Sequence, residues 1–324
     1  MHERVFGGTG WRVSEIGYGM WGMGGWTGSD DDESLGSLHR AIELGCTFFD
    51  TAWVYGQGRS EKLLGQTIRS HPGAGIVVAT KIPPKNMRWP ARADYTVHET
   101  YPPDHIREYT EKSLENLGVD VIDLQQFHVW NDAWADDDTW KRAVDDLRTA
   151  GLVRAVGISI NRWEPANVLR ALDTGLIDSV QVVYNIFDQA PEDELFPYCE
   201  AHGIAVIARV PFDEGSLTGA LTESSRWPEG DYRNLYFTPD NLRDTLQRVD
   251  RLRPLVPEGM ELPEMALRFI LEHPAVSTVI PGMRRLWHVE HNLAASDGQP
   301  LSPRLRDALR QHRWDRGTLI SFSA

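Results

Sequence analysis

Short apolar runs alternate with longer amphipathic stretches along most of the chain, and that alternation predicts a parallel sheet wrapped by helices. The strand-like runs end near Gly19, Asp50, Lys81, His128, Ser159, Tyr184, Arg209 and Pro281. Helical spacing marks residues 60–68, a stretch opening at 104–109, then 140–147, 165–172, 192–199, 263–271 and 287–295. Eight strands in such alternation are the number that closes into a (β/α)8 TIM barrel, an α/β fold. Ahead of them, residues 4–13 carry strand residues on both sides of a glycine-rich turn, which signals an N-terminal β-hairpin. Two further helical stretches, 238–253 and 302–313, stand outside the alternation and are expected as additional helices. No linker, internal repeat or low-complexity segment interrupts the pattern. The expectation is therefore one barrel domain over residues 1–324.

Composition narrows the partners. Of 324 residues 41% are hydrophobic, enough for a large core. The formal charge is −14, from 33 basic and 47 acidic residues, so no basic excess exists to displace counterions from nucleic acid or an anionic membrane. Neither is expected as a partner. Cys46 and Cys199 are the two cysteines, which fits a reducing compartment and supplies no metal framework. The start of the chain leads into no apolar run, and no stretch approaches the roughly 20 apolar residues of a membrane span. A cytoplasmic protein is expected, with its oligomeric state unreadable.

The candidate chemistry sits at strand ends. Phe48 and Phe49 anchor a strand that ends on Asp50, and Tyr55 follows five positions later. A carboxylate at that depth needs a cation, and Lys81, at the end of the next strand, can supply it. His128 ends the strand after that. In a closed barrel the C-terminal strand ends share one face, so Asp50, Lys81 and His128 become neighbours, with Tyr55 above them. A lysine ammonium beside a tyrosine favours the phenolate and makes the phenol a better proton donor. The set suits protonation of a carbonyl oxygen. It lacks a nucleophile with its own base, which weakens a hydrolase or lyase reading. Taken singly, each residue has a structural explanation, such as a turn cap for the aspartate. Taken together they mark one face. Gly17, Gly19 and Gly22 have the spacing of a dinucleotide-binding turn, but Met23 to Gly28 cannot open the helix that turn requires. His288 and His291 are the one close histidine pair of interest, and without further ligands no metal is expected there.

Phe49-Asp50-Thr51-Ala52, Tyr55-Gly56, Glu61-Lys62-Leu63-Leu64-Gly65, Ala79-Thr80-Lys81 and Asp123 through His128 resemble the aldo-keto reductase superfamily, over nearly the whole chain. The resemblance implies Tyr55 as general acid with Lys81, Asp50 and His128 in support. It implies reversible reduction of aldehydes or ketones to alcohols, with hydride from the nicotinamide of an extended cofactor bound without a Rossmann fold. It places that cofactor against Gly19, Met20 and Trp21 after the first strand, and against Ser159, Asn161 and Gln181 at the carboxamide. Tyr184 is to stack on the nicotinamide. Arg209, Pro211, Phe212, Gly215 and Leu217 form the pyrophosphate loop. Gly282, Arg284, His288, His291 and Asn292 form the adenosine-phosphate end. The adjacent Arg284 and Arg285, in so acidic a chain, suit a 2′-phosphate, so NADPH is expected, with NADH as the other possibility.

Tryptophan is abundant, at 12 residues, and Trp21, Trp26, Trp53, Trp89, Trp130, Trp134 and Trp227 fall in expected strand-to-helix loops. Aromatic loops over a barrel mouth favour flat apolar or sugar-like ligands. Trp21, Trp53, Trp89 and Trp130 are the expected substrate contacts for a small-molecule carbonyl compound. Two other classes compete with an active reductase. One is a nucleotide-sensing binding module, like the family's channel-associated β subunits, with vestigial activity. The other is a barrel lyase or hydrolase without a cofactor.

Overall fold

Strand parity determines which residues reach the functional end of this molecule. The computed structural model describes residues 1–25 and 28–316, so Trp26 lies outside the described residues. An antiparallel pair, β1 (Glu3–Val5) and β2 (Arg12–Ser14), opens the chain. Eight parallel strands follow: β3 (Tyr18–Gly19), β4 (Phe48–Asp50), β5 (Val77–Ile82), β6 (Ile122–Phe127), β7 (Val153–Ser159), β8 (Ser179–Val183), β9 (Ala205–Arg209) and β10 (Val276–Val279). They pair in chain order. Bridges Ile16–Val279 and Gly19–Gly282 join the last strand to the first and close the ring.

Alternate residues of each strand face opposite layers. Phe48, Ala79, Leu124, Ala155, Ala205 and Ile207 point into the barrel and form one apolar cluster with Phe6 and Val13. Phe49, Val78, Phe127, Ile158, Val180 and Ala208 point outward into the larger core under the helices. The hairpin is therefore a plug: Phe6 stacks on Trp11, packs against Phe48 and closes the N-terminal end of the barrel. Gly7 makes this fit possible, because a Cβ there would lie 2.5 Å from the Ala205 nitrogen.

One helix follows each barrel strand: Asp31–Glu43, Arg59–Ser70, Pro103–Leu117, Asp138–Thr149, Leu169–Leu172, Leu195–His202, Leu262–Leu271 and Leu286–Ala294, with short helical turns at Val97–Thr100 and Arg233–Tyr236 in the loops. The two additional helices are Pro239–Leu252 and Pro303–Arg310. Three local differences from the sequence reading have physical causes. The helix Asp31–Glu43 was not singled out, although Asp30 caps it by accepting from the Glu33 N–H and three acids fill its first turn. The stretch expected at 165–172 is helical only over Leu169–Leu172. Its free N–H groups at Arg170 and Ala171 are taken by the Asp132 carboxylate. The stretch expected at 192–199 begins later, after a tight turn at Ala190–Glu192. Among the described residues no helix is long and apolar enough to cross a membrane.

Candidate active site

Inward parity carries Asp50, Lys81, Gln126, His128, Ser159, Gln181 and Arg209 to the C-terminal mouth, each two or four residues beyond an inward-facing apolar or small residue. At its base lies a buried polar layer. Lys81 Nζ is 2.5 Å from Asp50 Oδ1 and donates to the Thr51 carbonyl at 2.8 Å. Asp50 Oδ2 accepts from Gln126 Nε2 at 3.0 Å and from Gln181 Nε2 at 2.7 Å. Lys81 and Asp50 are both buried, so each needs the other, and the two amides complete the carboxylate's hydrogen bonding. Gln126 was missed in the sequence; its inward register, two residues before His128, was the available signal. Gly157 leaves room for this layer, since a Cβ there would meet Ser179 Oγ at 2.4 Å and Gln126 Cγ at 3.1 Å.

Tyr55 hangs over the layer from the loop after β4. Gly56 turns the chain at φ 71°, with its Cα against the Gly24 carbonyl, where a Cβ would be only 2.4 Å from that oxygen. The phenol oxygen lies 3.5 Å from Lys81 Nζ. His128 meets Tyr55 edge-on, with ring centroids 5.9 Å apart, and Trp89 also meets His128 edge-on at 5.7 Å. The four residues expected to converge do so.

Their protonation differs from expectation in one respect. Lys81 pulls the Tyr55 pKa down, as anticipated, but burial outweighs it and the net shift is upward. Tyr55 is thus a phenol throughout the neutral range. His128 is held well below the usual imidazole range by burial, and then by the positive charges of Lys81 and Arg209. It is a neutral imidazole, and its Nδ1 is buried with no partner among the described residues. Between about pH 6 and about pH 8 neither group changes charge. The pH profile of kcat/KM for the reaction proposed below should be flat there. A break near 6.5 would show that His128 titrates at its ordinary value.

The residues expected around a cofactor divide. The loop after β9 carries left-handed backbone at Val210, Asp213, Glu214 and Gly215 (φ 56°, 46°, 55° and 102°), a concentration of strain typical of ligand-holding loops. Glu214 pairs across the mouth with Arg162 of the loop after β7. Among the described residues, Arg162 Nη1 and Arg209 Nε are buried with no partner, as is His288 Nδ1. Orphaned donors of this kind suit the polar and anionic groups of a dinucleotide. Gly282 is open, with nothing within 4 Å of where a Cβ would stand. Arg284 lies in the field of Arg285 and Arg233, of which Arg285 is paired with Glu33 and Arg233 with Asp231, and three guanidinium groups in one place suit a phosphate. Burial, and then Arg285 and Arg284, push the His288 pKa down to about 4. His291 is exposed and bonded to the Trp287 carbonyl, and Asn292 is buried. Ser159 ends β7 on the inward side, Pro211 is buried, and Phe212 packs on the core from the loop.

Several expectations need correction. Tyr184 does not face the mouth. Val183 points inward, so its successor points outward, where it stacks on Phe269, meets Phe196 edge-on and donates to Glu192. Trp130 has no accessible surface; it packs with Phe127, Trp134 and Trp140 in the outer core. Met20 and Leu217 are likewise fully buried and hold their loops rather than presenting side chains to a ligand. The Asn161 amide is bonded to the Ala91 backbone and Glu164. The Gln181 amide nitrogen is committed to Asp50. Trp53 packs edge-on to Tyr109. Trp21 and Trp89 are the exposed members of the expected substrate group, at 46% and 42%. Gly19 is partly exposed at the rim. Among the described residues no three His, Cys, Asp or Glu side chains come together to hold a metal ion.

A third network was not foreseen. Arg316 is fully buried and bonds Asp188 at 2.6 Å, Asp213 at 2.7 Å and the Tyr236 hydroxyl at 2.6 Å. It ties the end of the described chain to the strained loop. No short-range pattern joins residues this far apart in sequence.

Barrels of this closure serve many chemistries, so the class has to come from what stands at the mouth and from likeness to known proteins. With a tyrosine, lysine, aspartate and histidine gathered there, the chain is an oxidoreductase barrel of the NAD(P)H-dependent kind that acts on carbonyl compounds. Residues 15–313 match the aldo/keto reductase family, and the chain belongs to it. It is 30% identical over 291 residues to the aldo-keto reductase YhdN of Bacillus subtilis, covering 87% of this chain and 85% of that one. It is 28% identical over 311 residues to an NADH-specific methylglyoxal reductase of Escherichia coli, covering 91% and 93%. The glycerol dehydrogenase AKR11B4 of Gluconobacter oxydans superposes with a TM-score of 0.78 at 27% identity, covering 96% of this chain and 94% of that one.

Proposed function

We propose that this protein reduces small aldehydes or ketones to alcohols with NADPH, using Tyr55 as general acid. The observation that carries the reading is the phenol oxygen 3.5 Å from a buried ammonium that is itself held by Asp50. A bound reduced nicotinamide supplies the hydride that reaches the carbonyl carbon. The Tyr55 hydroxyl delivers its proton to the carbonyl oxygen, and the Lys81 charge stabilises the phenolate left behind. Asp50 fixes Lys81, with Gln126 and Gln181 fixing Asp50. His128, uncharged, orients the carbonyl oxygen from the side, and Trp89 and Trp21 wall the approach. Ser159, Arg162, Arg209 and the backbone of the 210–217 loop are the groups that would hold the carboxamide and pyrophosphate.

The Arg284–Arg285 pair favours a 2′-phosphate, although the methylglyoxal reductase relative is NADH-specific by name. A panel of carbonyl compounds, with loss of NADPH and of NADH followed side by side, tests both statements. The expected result is turnover of 4-nitrobenzaldehyde with kcat/KM at least about tenfold higher for NADPH, the size of one good charged contact. Arg284→Ala should raise the KM for NADPH and leave that for NADH unchanged. Equal use of both nucleotides would remove Arg284 from this role. Nucleotide binding with no turnover of any carbonyl would favour the sensing module instead.

A further inference from the structure

One cation at the mouth has no ion-pair partner of its own among the described residues. Lys81 is paired with Asp50, and Arg162 with Glu214. His128 and Tyr55 are neutral. Arg209 remains. It ends β9 on the inward side, directly across from Val183 in register. Its Nη2 donates to the Ile160 carbonyl at 2.9 Å, its Nε is buried without a partner, and among the described residues no carboxylate lies within ion-pair distance of it. A guanidinium keeps its proton in such surroundings. Arg209 thus brings to the mouth a positive charge that no carboxylate there is paired with. Its field reaches both Tyr55 and His128.

Hydride transfer requires the nicotinamide ring within about 3.5 Å of a carbonyl carbon whose oxygen is at Tyr55. A ring held there would come within reach of the Arg209 charge, which already acts on Tyr55 and His128. The ring is neutral in the reduced cofactor and cationic in the oxidised one, and the two forms carry the same phosphates. We propose that Arg209 makes the site discriminate between the redox states of its nicotinamide, binding the reduced form more tightly and repelling the oxidised one. The inference rests on the reductase reading and adds a function to a residue expected only to hold the cofactor. The repulsion favours departure of the oxidised nucleotide after each turnover. It also makes the internal hydride step less favourable, so the residue exchanges some driving force on the protein for faster clearance of the product. Two unit charges about 6–10 Å apart at an effective dielectric of about 20 change an equilibrium constant by tenfold or more.

Titrating the full chain with NADPH and with NADP+, read by quenching of tryptophan fluorescence, tests this without any turnover. The wild type should bind NADPH at least about tenfold more tightly than NADP+. Arg209→Gln should bring the two within about threefold, whatever affinity both lose with the contact to the cofactor. Arg209→Lys, which keeps the charge, should preserve most of the preference. A wild-type ratio near one, or a ratio that Arg209→Gln leaves unchanged, overturns the inference and leaves the reductase reading intact. Failure of the wild type to bind either nucleotide overturns both.

Discussion

Tyr55→Phe should lower the turnover of a reactive aldehyde by about 10²- to 10⁴-fold, the range removed with a general acid, while nucleotide affinity stays within a factor of about two. The substitution deletes one oxygen and keeps the ring that packs edge-on against His128. The Lys81–Asp50 pair below keeps all its other bonds, because the 3.5 Å approach of the phenol is the longest of the contacts to Nζ. Fold and cofactor sites are untouched, so the loss should fall on kcat. Undiminished reduction of 4-nitrobenzaldehyde by this variant would sink the assignment of Tyr55 as the proton donor. It would leave the family membership standing.

The second large effect concerns stability. Arg316→Met should cost about 3–5 kcal/mol of folding free energy, the penalty for leaving buried charge without its counterion. Two carboxylates, Asp188 and Asp213, lose their shared cation at a place where both are buried. Asp213 is informative about pH. Burial alone would raise its pKa, but Arg316, Tyr236 and Ser216 together bring it below the usual range. A depressed carboxyl stabilises the fold above about pH 4, the unfolded value, and that contribution is lost as the pH falls below it. In the Arg316→Met protein the sign reverses: Asp213 is expected to take up a proton, so stability should fall as the pH rises. Urea unfolding of both proteins at acid and neutral pH measures this. Equal midpoints for both would show that the network contributes nothing net.

Much of this was legible in the chain because strand ends in a barrel report on one face. Asp50, Lys81 and His128 needed no long-range information beyond the count of strands. The failures come from questions that a position near a strand end does not answer. The family resemblance put Tyr184 on the nicotinamide, whereas its side is set by parity: Gln181 and Val183 point inward, so Tyr184 cannot. Trp130 lies in a loop, as expected, but it is drawn into the outer core by Trp134 and Trp140, which a loop assignment does not foresee. The helix Asp31–Glu43 has a local signal in the Asp30 cap and the three acids of its first turn. The Arg316 network had no local signature, since its partners are 80, 103 and 128 residues away. The balance between burial and Lys81 at Tyr55 is a matter of depth, which a linear string does not contain.

Phe6, seated beneath the strands, gives the molecule a polarity that matters for handling it. The hairpin end faces away from the chemistry, whereas the segment reaching Arg316 is built into the rim. Attachment to a solid support through the hairpin side should leave the catalytic rim open to the bulk liquid. Coupling through the segment beside Arg316 should load the strained 213–215 turn directly.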